Sequence, residues 1–286
     1  MGERKMKKEK GYLILGLICL VCAVITGGLL LRYGLQSQKQ QEQYDAIAQI
    51  YHESDGQPDE EAASQDVNRS QDAETDVKPG ITGLQELNPD CVGWIQIPDT
   101  GLDYPVVYRD NQYYLTHNFI NEKASAGAVF LDESCDPDGD IRLLHGHHMK
   151  DGSMFGILKK YKKADFRDTH REIIYQDGQK EVRYKVVALL LADLTTEDYF
   201  HYENIPKSIL QQNDPQQDDL SQKDMEKYDE DKKTYIRTFL KNAQWKDADF
   251  SEKDYENSIL LLSTCEYGTA DERLVVLAVS DDTIIK

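Results

Sequence analysis

The sequence predicts a mainly β fold: a closed barrel or sandwich of about eight short strands, interrupted by a helical insertion and preceded by a separate membrane helix. Three observations predict it. Short apolar runs of β type recur between Val92 and Val279, with turn residues separating them. One polar stretch, His201 to Tyr255, breaks that series and carries helical spacing. A single unbroken apolar run, Tyr12 to Leu31, lies near the N-terminus.

That N-terminal run is roughly twenty residues, long enough to cross a bilayer as a helix. Arg4, Lys5, Lys7, Lys8 and Lys10 precede it, which predicts a single pass through the cell membrane with a cytoplasmic N-terminus and the remainder extracellular. No Ala-x-Ala-like site stands before Arg32-Tyr33, so an uncleaved signal-anchor is expected. Residues 1–34 are therefore assigned to a basic tail and transmembrane anchor. Residues 35–79, rich in Gln, Asp, Glu and Ser, read as an acidic flexible tether, with Ala46–Tyr51 able to prolong the helix. Residues 80–286 have the length of one domain.

Inside that domain Leu84 to Pro89 reads as a short helix. The strand-like runs are Val92–Ile97, Tyr104–Tyr108, Ala126–Leu131, Ile141–Leu144, Arg171–Tyr175, Glu181–Ala192, Ile259–Leu262 and Leu274–Val279. Asp177-Gly178 is a tight hairpin signal between two of them. Gly152–Lys163, with Met154, Phe155, Ile157, Leu158 and Tyr161, has helical spacing. In the insertion, Ser221 and Asp224 form a helix start signal. Leu220, Met225, Tyr228, Tyr235, Ile236, Phe239 and Leu240 mark one apolar face, expected to pack on the barrel and to wall a groove.

A net charge of −19 argues against a nucleic-acid partner. Of the five cysteines, Cys19 and Cys22 fall in the membrane run, leaving Cys91, Cys135 and Cys265 outside it. An odd external thiol is a candidate reactive group, and a Cys91–Cys135 disulfide stays open. Cys265 ends the apolar run that begins at Ser258; Arg273 opens the next one after a short polar loop. Two strands so joined bring thiol and guanidinium to the same end of a sheet. A thiol is only a few per cent thiolate at neutral pH, and a nearby cation or imidazole raises that fraction. Leu144–Met149 supplies His145, His147 and His148. Cys, His and Arg at strand ends are the parts of an acyl-transfer enzyme. Zinc on the three histidines is not expected, because Met149 and Lys150 stand where an acidic partner is wanted and adjacent histidines on a strand point apart. No metal or cofactor is assigned.

Five segments carry a family resemblance: Asn88-Pro-Asp-Cys-Val-Gly-Trp-Ile-Gln-Ile97, Asp103-Tyr-Pro-Val-Val107, Asp110-Asn-Gln-Tyr-Tyr-Leu115, Gly146-His-His-Met-Lys-Asp-Gly-Ser-Met-Phe155, and Leu262-Ser-Thr-Cys265 with Arg273. In these the chain resembles the class B sortases, membrane-anchored cysteine transpeptidases of Gram-positive bacteria. The resemblance implies a closed sortase-type β-barrel with N-terminal helices and a helical insertion before the nucleophile strand. It implies Cys265 as nucleophile, His147 as proton carrier with His148 as the adjacent rival, and Arg273 as oxyanion donor. His145 stands where class B members often have Tyr. Asn111, Leu115, Thr195, Tyr199, Ser263 and Glu266 match positions that line the substrate groove, and the Glu266 N–H is a second oxyanion donor by the same analogy. The implied partners are secreted proteins with a C-terminal Asn-Pro-x-Thr-like sorting signal and an amine of a peptidoglycan precursor. The competing readings are a pilus-assembling sortase that uses a pilin Lys, and a catalytically silent surface-binding barrel.

Overall fold

The computed structural model describes residues 2–55, 80–178, 180–196, 200–207, 222–265 and 272–281. The chain divides into two compact units, one ending at Ala46 and the other beginning at Ile47.

Helix α1 spans Gly2–Asp55. Its apolar part has a mean hydropathy of 2.0, and the helix is long and apolar enough to cross a membrane. Leu17, Leu20, Val24, Leu29 and Leu31 are all exposed, so the apolar surface is not spent on packing within the protein. A helix that is apolar all round needs another apolar surface, and a bilayer is one. The stretch expected to be a tether from residue 35 is helical as far as Asp55, and residues 56–79 lie outside the described residues. The end of α1, from Ile47 to Asp55, belongs to the second unit. There Tyr51 stacks on Trp94 with ring centroids 4.2 Å apart. Asp103 joins the same two segments, accepting from Trp94 Nε1 at 2.6 Å and lying 2.8 Å from His52 Nε2.

The second unit is a mixed barrel. Helix α2 (Gly80–Leu87) leads into β1 (Cys91–Gln96), β2 (Asp103–Tyr108), β3 (Val129–Leu131), β4 (Ile141–His145), β5 (Glu172–Asp177) and β6 (Glu181–Asp193). Helix α3 (Ala164–Thr169) precedes β5, and α4 (Gln222–Asn242) and β7 (Trp245–Lys246) lie between β6 and the last two strands, β8 (Ile259–Cys265) and β9 (Glu272–Ser280). The strand order is β5-β1-β2-β3-β4-β8-β9-β6, and β5–β6 pairing closes the ring; β7 adds to β6. β2–β3 and β4–β8 are the parallel pairs. Ile259 to Leu262 are all fully buried, as the strand-like run at that position predicts. Such a run needs cover on both faces, and the 3₁₀ helix Phe155–Lys162 packs on β8 and β9.

Several boundaries differ from the sequence reading for local reasons. β3 starts at Val129 rather than Ala126, because Gly127 has φ +57° and approaches the Tyr114 carbonyl so closely that a Cβ would lie 2.3 Å from it. The helix expected over Gly152–Lys163 begins only at Phe155 and is 3₁₀, since Asp151 turns the chain by accepting from the N–H and hydroxyl of Ser153 and Met154 has φ 50°. The apolar face of α4 is narrower than expected: Met225 is exposed, while Lys232 is buried beside Tyr228, Tyr235, Ile236 and Phe239. Its ammonium meets Asp140. Ser221 and Leu220 lie outside the described residues. Cys91 and Cys135 are both free and buried, and burial pushes each thiol up to about 12.

Arg142 is the buried charge that the strand pattern did not foresee. It is only 3% exposed and lies 3.4 Å from Asp177 Oδ2, with its guanidinium 5.0 Å from the Tyr175 ring centroid. Asp177 also accepts from the Lys180 N–H at 2.8 Å in the β5–β6 hairpin. Removing the carboxylate leaves a buried cation behind, which costs about 3 kcal/mol. Asp177→Ala is therefore expected to lower the thermal midpoint by roughly 10 °C, measured by calorimetry.

Candidate active site

The candidate site forms where β4, β8 and β9 end together. β4 runs parallel to β8 with Leu144 opposite Leu262 and His145 opposite Ser263. The Gly146 N–H then donates to the Ser263 carbonyl at 3.2 Å. β9 runs antiparallel on the other side of β8, with Thr264 opposite Leu274 and Cys265 opposite Arg273. For Cys265 the described part is the backbone. Its thiol-bearing position thus faces Arg273 across one rung, and His147 lies two residues beyond the last rung of β4.

Gly146 permits the turn that delivers His147. A Cβ there would lie 2.7 Å from the Phe155 ring, so only glycine lets the chain pass this close. The Phe155 N–H donates to the His147 carbonyl at 3.0 Å and closes the turn from the other side. His148, the rival, instead forms an isolated β-bridge with Met154.

A cleft of about 240 Å³ opens at this end, lined by Asn111, Leu115, Phe130, Asp132, His145, Gly146, His147, Tyr202, Ser263, Thr264 and Arg273. His147 Nε2 lies 2.8 Å from the Leu115 carbonyl oxygen. Arg273 donates from Nη1 to the Glu272 carbonyl at 3.2 Å. Ser263 is buried, and its hydroxyl is 2.9 Å from the phenol of Tyr202. The Thr264 hydroxyl, also buried, has no hydrogen-bond partner among the described residues.

Asp132 organises one side of the cleft. Its Oδ2 lies 2.8 Å from His145 Nε2 and accepts from Asn111 Nδ2 at 2.9 Å; its Oδ1 accepts from the Ser134 N–H and hydroxyl at 2.9 and 2.5 Å. Burial alone would raise this carboxyl, but the hydrogen bonds from His145 and Ser134 outweigh it and hold the group at about 2, below the ordinary 3.8. Asn111 is committed at both ends, since its Oδ1 accepts from the Glu133 N–H at 2.8 Å.

Of the expected site residues, His147, Arg273, Asn111, Leu115 and Ser263 line this cleft together, and the Cys265 backbone adjoins it. Thr195 is not among the lining residues; its N–H and hydroxyl donate to Asp193 Oδ1 at 2.9 and 2.6 Å in the turn after β6. Those bonds hold the Asp193 carboxyl below its ordinary value. Tyr199 and Glu266 lie outside the described residues. Sequence reasoning did not single out Phe130, Asp132, Tyr202 or Thr264. Phe130 and Asp132 sit two apart where the run Ala126–Leu131 ends, a faint signal that they share a face; Tyr202 arrives from the insertion and left none. Among the described residues no group of three His, Cys, Asp or Glu side chains is placed to hold a metal ion.

Comparison with known proteins agrees with this architecture. The sortase domain profile matches residues 95–281. Sortase B of Listeria monocytogenes is 40% identical over 139 residues, covering 46% of this chain and 54% of that protein. Sortase B of Staphylococcus aureus is 28% identical over 208 residues, covering 71% and 75%. The alignment thus spans about half the length of the first relative and three quarters of the second. A Bacillus anthracis structure described as similar to sortase B superposes with a TM-score of 0.62 at 29% identity, over 86% of this chain and 98% of that one. The closed, mixed eight-strand barrel is the fold shared with these sortase structures. The chain belongs to the sortase family, among its class B members.

The depressed carboxyl of Asp132 has a measurable consequence. A group whose folded pKa lies below its unfolded value stabilises the fold above the unfolded value and loses that contribution as pH falls through the folded one. The shift from 3.8 to about 2 corresponds to roughly 2 kcal/mol. In urea titrations Asp132→Asn is expected to be less stable than the wild type by about that amount at pH 7, with the gap narrowing between pH 4 and pH 2.

Proposed function

We propose that this protein is a membrane-anchored cysteine transpeptidase that cleaves a C-terminal Asn-Pro-x-Thr-like sorting signal after Thr and transfers the acyl group to an amine of a peptidoglycan precursor. The observation that carries the reading is the pairing of Cys265 with Arg273 at the rung beside His147. Cys265 gives its proton to His147, its thiolate sulfur attacks the Thr carbonyl carbon, and the carbonyl electrons move onto oxygen. Arg273 donates hydrogen bonds to that oxyanion. As the C–N bond breaks, its electron pair leaves with the amine, which takes a proton from His147. A thioester remains on Cys265. The incoming amine attacks it, His147 accepts the amine's proton, and the thiolate departs. The exposed Leu115 offers the signal an apolar contact, backed by the buried Phe130 at the cleft wall.

The anchor suits this chemistry. Residues 1–34 would hold the enzyme at the membrane with a cytoplasmic N-terminus and residues 80–286 outside, joined through 35–79. Protein substrate and lipid-linked acceptor both reach the enzyme at that surface.

Incubating the full-length protein with a signal peptide and either a peptidoglycan-type amine or a Lys side-chain amine tests the reading and separates cell-wall from pilin acceptors. Cys265→Ala is expected to abolish cleavage at an unchanged thermal midpoint; cleavage retained in that variant removes the mechanism. Arg273→Lys should lower kcat by about 10²-fold, because an ammonium cannot reproduce the planar fork of donors.

A further inference from the structure

Tyr202 is the cleft residue whose role the catalytic scheme leaves unassigned. It is 5% exposed and belongs to the segment that follows β6, far in sequence from the strands it touches. Its phenol lies 2.9 Å from the Ser263 hydroxyl on β8, two residues before Cys265. At its other end, its carbonyl accepts from the phenol of Tyr235 on α4. Burial pushes the Tyr235 phenol well above its ordinary value, so it remains a donor throughout the working pH range. Two residues earlier, the Phe200 ring packs against Tyr235 and Phe239, with centroids 5.6 and 6.0 Å apart. The Tyr202 N–H donates back to the Phe200 carbonyl at 2.8 Å, which makes the two contacts one local unit.

α4 is itself fixed to the barrel. The ammonium of Lys232 and the phenol of Tyr228 both bond Asp140, the residue before β4. The chain of contacts therefore runs from the start of β4, through α4, to Tyr202 and on to β8. Ser263 stands where it ends. Its carbonyl accepts from Gly146, next to His147, and its side chain is occupied by Tyr202. A buried hydroxyl so engaged is better placed to hold a neighbour than to bind a substrate.

We propose that Tyr202 is a positioning residue for substrate: bonded to Ser263 at its phenol and to Tyr235 at its carbonyl, it ties the helical insertion to the nucleophile strand and fixes the cleft wall against which the peptide lies. Ser263 then acts through Tyr202 rather than by touching the peptide. A wall held at a set distance stabilises bound peptide and transition state alike, so its loss appears in KM and not in kcat.

The kinetic part of this inference rests on the transpeptidase reading; the tether itself does not. Both are tested in the full chain in detergent, using Tyr202→Phe, Ser263→Ala, the double variant and Tyr235→Phe. Loss of one hydrogen bond is expected to raise KM for an Asn-Pro-x-Thr peptide about fivefold, with kcat within about twofold of wild type. The double variant should be no worse than either single, because both remove the same bond. Tyr235→Phe should shift KM in the same direction. Amide hydrogen exchange over residues 200–207 should quicken in Tyr202→Phe while β8 stays protected. An unchanged KM, or multiplying effects in the double variant, overturns the positioning role. Unchanged exchange over 200–207 overturns the tether. If the wild type cleaves no peptide, the transpeptidase reading fails, and the exchange measurement alone decides whether Tyr202 holds the insertion.

Discussion

His145 sits opposite Ser263 in the parallel β4–β8 ladder, and the cleft end of the barrel depends on that register. A parallel pair advances both chains in the same direction, so whatever follows β4 emerges beside whatever ends β8. β4 is followed by Gly146-His147, and β8 ends in Thr264-Cys265. The antiparallel β9 then supplies Arg273 on the far side of β8. Positions 147, 265 and 273 come to one end of the barrel because two ladders share one strand. Side chains alternate along a strand, so a slip of one residue would turn each of these positions to the opposite face.

The charges around β4 oppose such a slip. Arg142 occupies a buried position among Tyr175, Tyr184 and Asp177, while its neighbour Leu143 is buried on the other face. Exchanging those two would leave a guanidinium against apolar side chains, at a cost of several kcal/mol. Just before the strand, Asp140 receives Lys232 and Tyr228 from α4. The far end of a five-residue strand is thus held by ionic contacts, and its near end feeds the cleft. Buried ion pairs are weak stabilisers on balance, since desolvation offsets most of the attraction. Here their effect falls on which register is allowed.

Much of this was legible in the sequence. Apolar runs located the strands of the ring because their pattern is local, and the β8 run is apolar throughout because it is covered on both faces. Cys265, His147 and Arg273 stood out because each borders such a run. The family resemblance chose His147 over His148, and the structure sets His147 on the cleft and His148 in a bridge to Met154. The illegible parts are those whose partners are remote in sequence. Asp132 looks like an ordinary loop acid until Asn111, Ser134 and His145 converge on it. Lys232 broke the apolar pattern of α4 for a partner 92 residues away. The two-residue β7 was too short to leave any periodicity.

The Asp132 side of the cleft is held by a hydrogen-bond network of its own. Four donors converge on Asp132, which leaves that carboxylate ionised and its hydrogen-bonding capacity used. Because the carboxylate is ionised, the bond to Nε2 places the ring proton on that nitrogen, so a neutral His145 has Nδ1 as its acceptor. The same saturation commits Asn111, whose amide oxygen is held by the Glu133 N–H. A phenol in place of His145 could donate only a single bond to such a carboxylate. Imidazole can donate that bond and still offer a second nitrogen. His145 therefore supports Asp132 and presents a second polar atom on this side of the cleft, which His147 also lines.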